Sequence, residues 1–370
     1  SFISDVAGRP TLILSTTEDS PTTSTSIPVT VTFSEQVTGF DLEDINVSSA
    51  TISGFSTTNN IVYTLDEATT ITIGTITIFI PARAAADLAG NENIIENLLP
   101  IAIARQSPTV PVSTTEGQIT NASSIPVTIT FSEEVVGFTS GDVSISNGTI
   151  ASFGTTDNIV YTFNAEPTIT SGTLTVSVAE DVAADQLGND NEASNQLSRT
   201  IDQIPPTVQV ITTASNPTGA SLVSIRIIFS EQMIGLLFDE LQVSNLDVQT
   251  FNVTDNTYFV TGRPTITSGE VTLSVPAGIA TDRGGNPNPA SNQISVTIDR
   301  VPPTTVVSTT ADNQISLTTI PVTVTFSEEV SGFFSSEVSL TNGTISNFMT
   351  ADNTTFTFDV TAQDNGEVEI

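Results

Sequence analysis

Apolar and polar positions alternate strictly in one nine-residue stretch that the chain repeats. Ile320–Glu328 reads IPVTVTFSE. Ile27–Glu35 is identical, Ile125–Glu133 differs by one residue, and Val223–Glu231 is a looser copy, VSIRIIFSE. Within it Val322, Val324 and Phe326 alternate with Thr323 and Thr325. A two-residue period of β-branched residues predicts a strand with one face in a core and the other in water. The closing phenylalanines, Phe33, Phe131, Phe229 and Phe326, lie 98, 98 and 97 residues apart. A constant period makes this strand the common centre of four copies of one domain.

Around it, in the first copy, short apolar runs predict further strands near Leu12–Thr16, Leu42–Val47, Thr51–Phe55, Ile61–Leu65, Thr75–Ile80 and Leu98–Ile103. No stretch carries a helical period. Seven short strands between Gly, Asn, Asp and Ser turns predict an all-β chain, a tandem array of four immunoglobulin-like β-sandwiches. Asn147-Gly148 and Asn342-Gly343 read as tight hairpins. Prolines at Pro10, Pro108, Pro205-Pro206 and Pro302-Pro303 mark the boundaries. These give domains at 10–105, 106–203, 204–300 and 301–370, after a segment 1–9. Stiff proline linkers predict a rod, with units of roughly 35–40 Å adding to more than roughly 100 Å.

The fourth copy lacks its last strand. Gly366–Ile370 matches Gly269–Leu273, and the seventh strand, Ile294–Asp299 in the third copy, has no counterpart. Ser1–Val6 stands where a preceding unit's seventh strand would. Together these ends predict head-to-tail partnership with other copies of the chain, Phe2, Ile3 and Val6 being donated by β-strand addition.

Composition narrows the function. The formal net charge is −33, and all eight basic residues are arginine. That argues against nucleic acid, and against docking on an anionic membrane. No apolar run reaches the roughly 20 residues of a membrane span. An acidic surface suits solubility or divalent cations. The abundance of Ser and Thr without Lys suggests an extracellular protein. With no His, Cys or Lys, most nucleophile–base arrangements are unavailable. No phosphate loop, dinucleotide fingerprint or zinc-protease motif occurs, and carboxylates recur with the repeat, so no enzyme is expected. Without Lys there is no Lys–Asn isopeptide staple.

The candidate chemistry is calcium binding. Asp87–Asn91, Asp185–Asn189 and Asp282–Asn286 share the pattern D-x-x-G-N. Each copy also carries the glutamate of its FSE triplet: Glu35, Glu133, Glu231 and Glu328. Strand polarity puts these glutamates and loops at the pole that meets the preceding unit, which arrives through Asp202 or Asp299. Convergent carboxylates and amide carbonyls are what Ca²⁺ requires. The predicted ligands are Glu35, Asp87, Asn91, Glu133, Asp185, Asn189, Asp202, Glu231, Asp282, Asn286, Asp299 and Glu328. The competing reading is that Asp and Asn only close their own turns. Ala104 stands where Asp202 does, so the first junction is expected to bind more weakly.

The blocks Val127–Phe138, Asp142–Ile150, Thr156–Phe163, Ser171–Val178 and Asp185–Asn189 recur in order through the chain. Their pattern resembles the bacterial Ig-like repeats of large surface adhesins. The resemblance implies a stalk or fibre segment on a bacterial or archaeal surface, with Ca²⁺ stiffening its junctions. A ligand-binding adhesin domain is the other class. Its candidate is the apolar run Met233–Phe238, for which a rebuilt core or an inter-unit contact is the plainer reading. Six N-x-S/T sequons, at Asn46, Asn121, Asn147, Asn252, Asn342 and Asn353, are explained by composition and turns.

Overall fold

The computed structural model describes residues 8–312 and 319–370. The expected donor segment Ser1–Val6 lies outside the described residues. The chain divides into two compact units, residues 1–205 with 282–286, and 206–281 with 287–370.

The second repeat shows the plan in full. One sheet runs in the order Val112–Thr114, Ile125–Thr130, Val160–Pro167, Gly148–Thr155. The other runs Ile119–Thr120, Leu197–Asp202, Ser171–Val178, Val143–Ser146. The alternation read from the sequence decides which face turns inward: Ile125, Val127 and Ile129 are buried, and the prolyl and threonyl residues between them are not. Each such side chain contributes roughly 1.5–3 kcal/mol by leaving water. A corner cluster closes one end of the core. Phe138 lies edge-on to Phe131 at 5.0 Å and to Tyr161 at 4.9 Å.

Ile119–Thr120 pairs in parallel with Thr200–Ile201, so the repeat's opening segment lies along its closing strand. Thr22 with Ile103 and Thr218 with Ile298 repeat this parallel contact in the first and third copies.

Three local expectations are corrected. The stretch Leu42–Val47 is not one strand: a 3-10 turn, Leu42–Asp44, is capped by the Asp41 carboxylate, and the strand is Asn46–Ser48. Asn147-Gly148 does not close a hairpin. Val143–Ser146 pairs in one sheet and Gly148–Thr155 in the other, so Asn147, at φ 58°, turns the chain across the sandwich. Asn342, at φ 59°, likewise parts Thr341, bridged to Glu369, from the strand Gly343–Thr350 of the other sheet. Asn-Gly signals a left-handed residue, and that conformation serves a sheet crossover as well as a hairpin.

In the third repeat Leu236 fills the place of Phe138 and is buried. The divergent run is thus a rebuilt core at Leu236, whereas Leu237 and Phe238 are 57 % and 54 % exposed. In the fourth repeat the four-stranded sheet is complete, with Val322, Val324, Phe356, Phe358 and Val360 as its core. Among its described residues the second sheet is represented by the Thr341–Glu369 bridge. Val307 is 51 % exposed there, against 4 % for Val112 at the same position of repeat two.

Candidate metal centre

The D-x-x-G-N segments are loops closed on their own aspartate. In repeat two, Asp185 Oδ1 accepts from the backbone N–H of Leu187 and of Asn189, each at 2.8 Å. Its Oδ2 accepts from the Asn189 side-chain amide at 2.7 Å. Asp87 repeats all three bonds with Ala89 and Asn91. Asp282 accepts from the backbone and side-chain amides of Asn286, both at 2.9 Å. The turn-forming role of these residues is therefore realised. Burial opposes ionisation of Asp185, but hydrogen bonds from Asn189, Leu187 and Gly188 outweigh it and hold its carboxyl below the usual range.

A second asparagine, two residues on, braces each loop from inside. Asn191 is buried; its Oδ1 accepts from the N–H of Val182 and Ala183, and its amide donates to the carbonyls of Ala179 and Glu192. Asn93 and Asn288 sit in the same way. The sequence signal was present as G-N-x-N in three repeats.

A short ladder brings the FSE glutamate to the loop. Val135 pairs with Asp185, and Glu133 is two residues upstream. Partial burial pushes the Glu133 carboxyl up, and the Asp185 charge adds to it. Val37 pairs with Asp87 in the same register, placing half-buried Glu35. Glu231 is half-buried after Phe229, at the position Glu133 holds in repeat two.

The loops also reach back to the end of the preceding repeat. The Asn189 amide donates to the Ala104 carbonyl at 3.0 Å, and the Asn286 amide to the Asp202 carbonyl at 2.8 Å. Carboxylate oxygens of Asp202 and Asp282 lie within 4.8 Å of one another. A Cβ on Gly284 would come within 2.7 Å of the Asp202 carbonyl oxygen, so only glycine allows this approach. Asp299 and Glu328, with Glu329, line one cavity of about 500 Å³.

These donors fit a hard cation. They are oxygens only, like charges adjoin, and the Oδ1 atoms of Asn189 and Asn286 accept no hydrogen bond among the described residues. The fit is not one of need, because the aspartates are already held by N–H donors.

One titratable residue escaped the reading of single motifs. Glu67 is 0 % exposed, and neither carboxylate oxygen has a hydrogen-bond partner among the described residues. It pairs with Ile27 in the central sheet, at the place of Ala165, Gly262 and Val360 in the other repeats. Burial pushes its carboxyl up to about 7.

A family profile described as the bacterial Ig-like domain matches at residues 7–103, 104–201, 202–298 and 299–369. Comparison with curated proteins gives no match. Among solved structures the chain is similar to FdeC, an adhesin of Escherichia coli, at 13 % identity and TM-score 0.40, over 80 % of this chain and 99 % of that one. It is similar to invasin, a bacterial integrin-binding protein, at 14 % identity and TM-score 0.40, over 97 % and 75 %. InvD of Yersinia pseudotuberculosis is similar at 14 % identity and TM-score 0.31, over 79 % and 98 %.

Proposed function

The chain belongs to the bacterial Ig-like domain family, in four tandem copies, and from that premise we propose that it is a non-enzymatic structural segment of an extracellular surface protein, with calcium held at its repeat junctions. The observation that supports this is the pair of bonds from Asn189 to Ala104 and from Asn286 to Asp202. In both, the loop rich in oxygen donors is the part of a repeat that grips the end of the preceding one. A loop so placed is suited to setting the stiffness of an array.

Calcium would be held by Asp185, Asn189 and Glu133 at one junction, and by Asp202, Asp282 and Asn286 at the next. Asp299 and Glu328 are the corresponding groups on the cavity before repeat four, and Glu35, Asp87 and Asn91 those of repeat one. Bound there, the cation would neutralise neighbouring carboxylates that otherwise repel.

Antibody against repeat two should label intact source cells, and external protease should remove the label. Antigen found only inside the cells would overturn the reading. Polymerisation of the purified chain would identify a filament subunit, and a persistent monomer an internal stalk segment.

A further inference from the structure

The first three residues of one outward row are Ser, Thr and Thr in repeats one, two and four, and Ile, Arg and Phe in repeat three. Reading across the four-stranded sheet, the row is Ser15, Thr30, Thr64, Ser56 in repeat one. It is Ser113, Thr128, Thr162, Gly154 in repeat two. In repeat four it is Ser308, Thr323, Thr357, Met349. Repeat three has Ile211, Arg226, Phe259, Asn252.

Packing does not account for the change. The neighbours of these residues along the strands, Val210, Ile225, Tyr258 and Val260, are the ones that face the core. Phe259 is 43 % exposed, so a ring stands in water where threonine served elsewhere. Arg226 is exposed, and its guanidinium makes no hydrogen bond, ion pair or ring contact among the described residues. Arg263, also exposed, lies two positions beyond Thr261 on the strand that carries Phe259. Arg263 stands opposite Asp247, so Arg226 is the cation of this face with no carboxylate in its row, on a molecule with formal charge −33. A cavity of about 170 Å³ opens there, lined by Ile211, Thr213, Ser224, Arg226, Phe259 and Thr261.

The lining selects the ligand. Arg226 and Phe259 lie on the two inner strands of the sheet, whose backbone groups already pair on both sides. A peptide strand finds no edge to extend there, so recognition falls to side chains. A flat ring offers a stacking surface, three hydroxyls offer donors and acceptors, and guanidinium matches a carboxylate in a two-bond fork. The volume is below the roughly 300 Å³ at which pockets for drug-sized ligands begin, which suits a single ring of a longer molecule. We propose that this face of repeat three binds an acidic saccharide, a uronic-acid ring stacking on Phe259 with its carboxylate on Arg226.

The test titrates the full chain, in calcium-free buffer, with a galacturonic acid trimer, its methyl ester and hexaglutamate. Arg226→Thr and Phe259→Thr install the residues that repeats one, two and four carry at these exposed positions, and unchanged melting confirms their fold. The native chain should bind the trimer saturably, and each variant should bind it at least tenfold more weakly. Esterification should weaken native binding about as much as Arg226→Thr does, with no further loss in that variant. Absence of saturable binding, equal binding by the variants, or hexaglutamate binding as tightly through the same two residues would each overturn the proposal.

Discussion

The side chain of Leu246 fills the space that a Cβ on Gly262 would occupy, its Cγ lying 2.5 Å from that point. The two positions trade volume among the repeats. Gly148 and Ala165 hold these two positions in repeat two, and Gly343 and Val360 in repeat four, where a Cβ on Gly343 would meet Val360 at 2.8 Å. Gly262→Ala should therefore destabilise repeat three by roughly 1–3 kcal/mol through overpacking, with Leu246→Ala in the same chain relieving most of the strain. Hydrogen exchange at the Ile225 and Val260 amides reports this; equal protection in the single variant would contradict it.

Glu67 makes repeat one sensitive to pH. Its carboxyl is raised from 4.5 to about 7 in the folded chain. The folded state then holds the proton more tightly than the unfolded one. The stabilisation is present at low pH and is lost as pH rises from about 4.5 through about 7, by roughly 3 kcal/mol in all. The strands paired with its own, Ser26–Phe33 and Ala50–Thr57, carry no charged residue to offset this. Glu67→Gln should flatten the pH dependence of repeat-one melting, and Glu67→Val, after Val360, should raise its melting at pH 8. A native chain whose repeat-one melting is flat over this range would refute the assignment.

Asn191→Ala removes four hydrogen bonds from a buried site and leaves backbone groups unpaired. A loss of roughly 2–4 kcal/mol is expected in repeat two. Amides of 183–191 should exchange faster than that of Val127; uniform exchange across the repeat would argue against a local brace.

Calcium should bind more tightly at the junction bearing Asp202 than at the one bearing Ala104. Ala104→Asp should strengthen the weaker site about tenfold, equivalent to about 1.4 kcal/mol. Chelation should speed exchange in the loops 185–189 and leave the Val127 amide protected, since the core of repeat two is built from apolar side chains that no ion holds together. Calorimetry showing equal sites, or no change in Ala104→Asp, would count against the junction assignment.

Much of this was legible in the sequence, for physical reasons that differ by element. The central strand announced itself because one face meets a core, so Val29 and Val31 had to alternate with threonine. The Asp185 loop was legible as a turn, and the same groups allow a cation-ligand reading, because carboxylate and amide oxygens serve both. Its brace Asn191 recurs as the second asparagine of G-N-x-N, but recurrence alone does not say which asparagine of the loop turns inward. Glu67 is visible only against Ala165, Gly262 and Val360. The Arg226–Phe259 pair was not legible because the two residues meet only through the register of strands distant in sequence.

The parallel contact between the opening and closing segments of a repeat has a mechanical consequence. In repeat one Thr22 donates to Ala102 and accepts from Ala104, and in repeat three Thr218 bonds Thr297 and Asp299 in the same way. Tension applied through the ends of such a domain pulls these two strands along their length in opposite directions. Their hydrogen bonds are then loaded together in shear, rather than opened one at a time as in an unzipping hairpin. Rupture under force is set by the rate of unfolding, not by equilibrium stability. A short lock of this kind lets a domain of ordinary stability outlast a sustained pull.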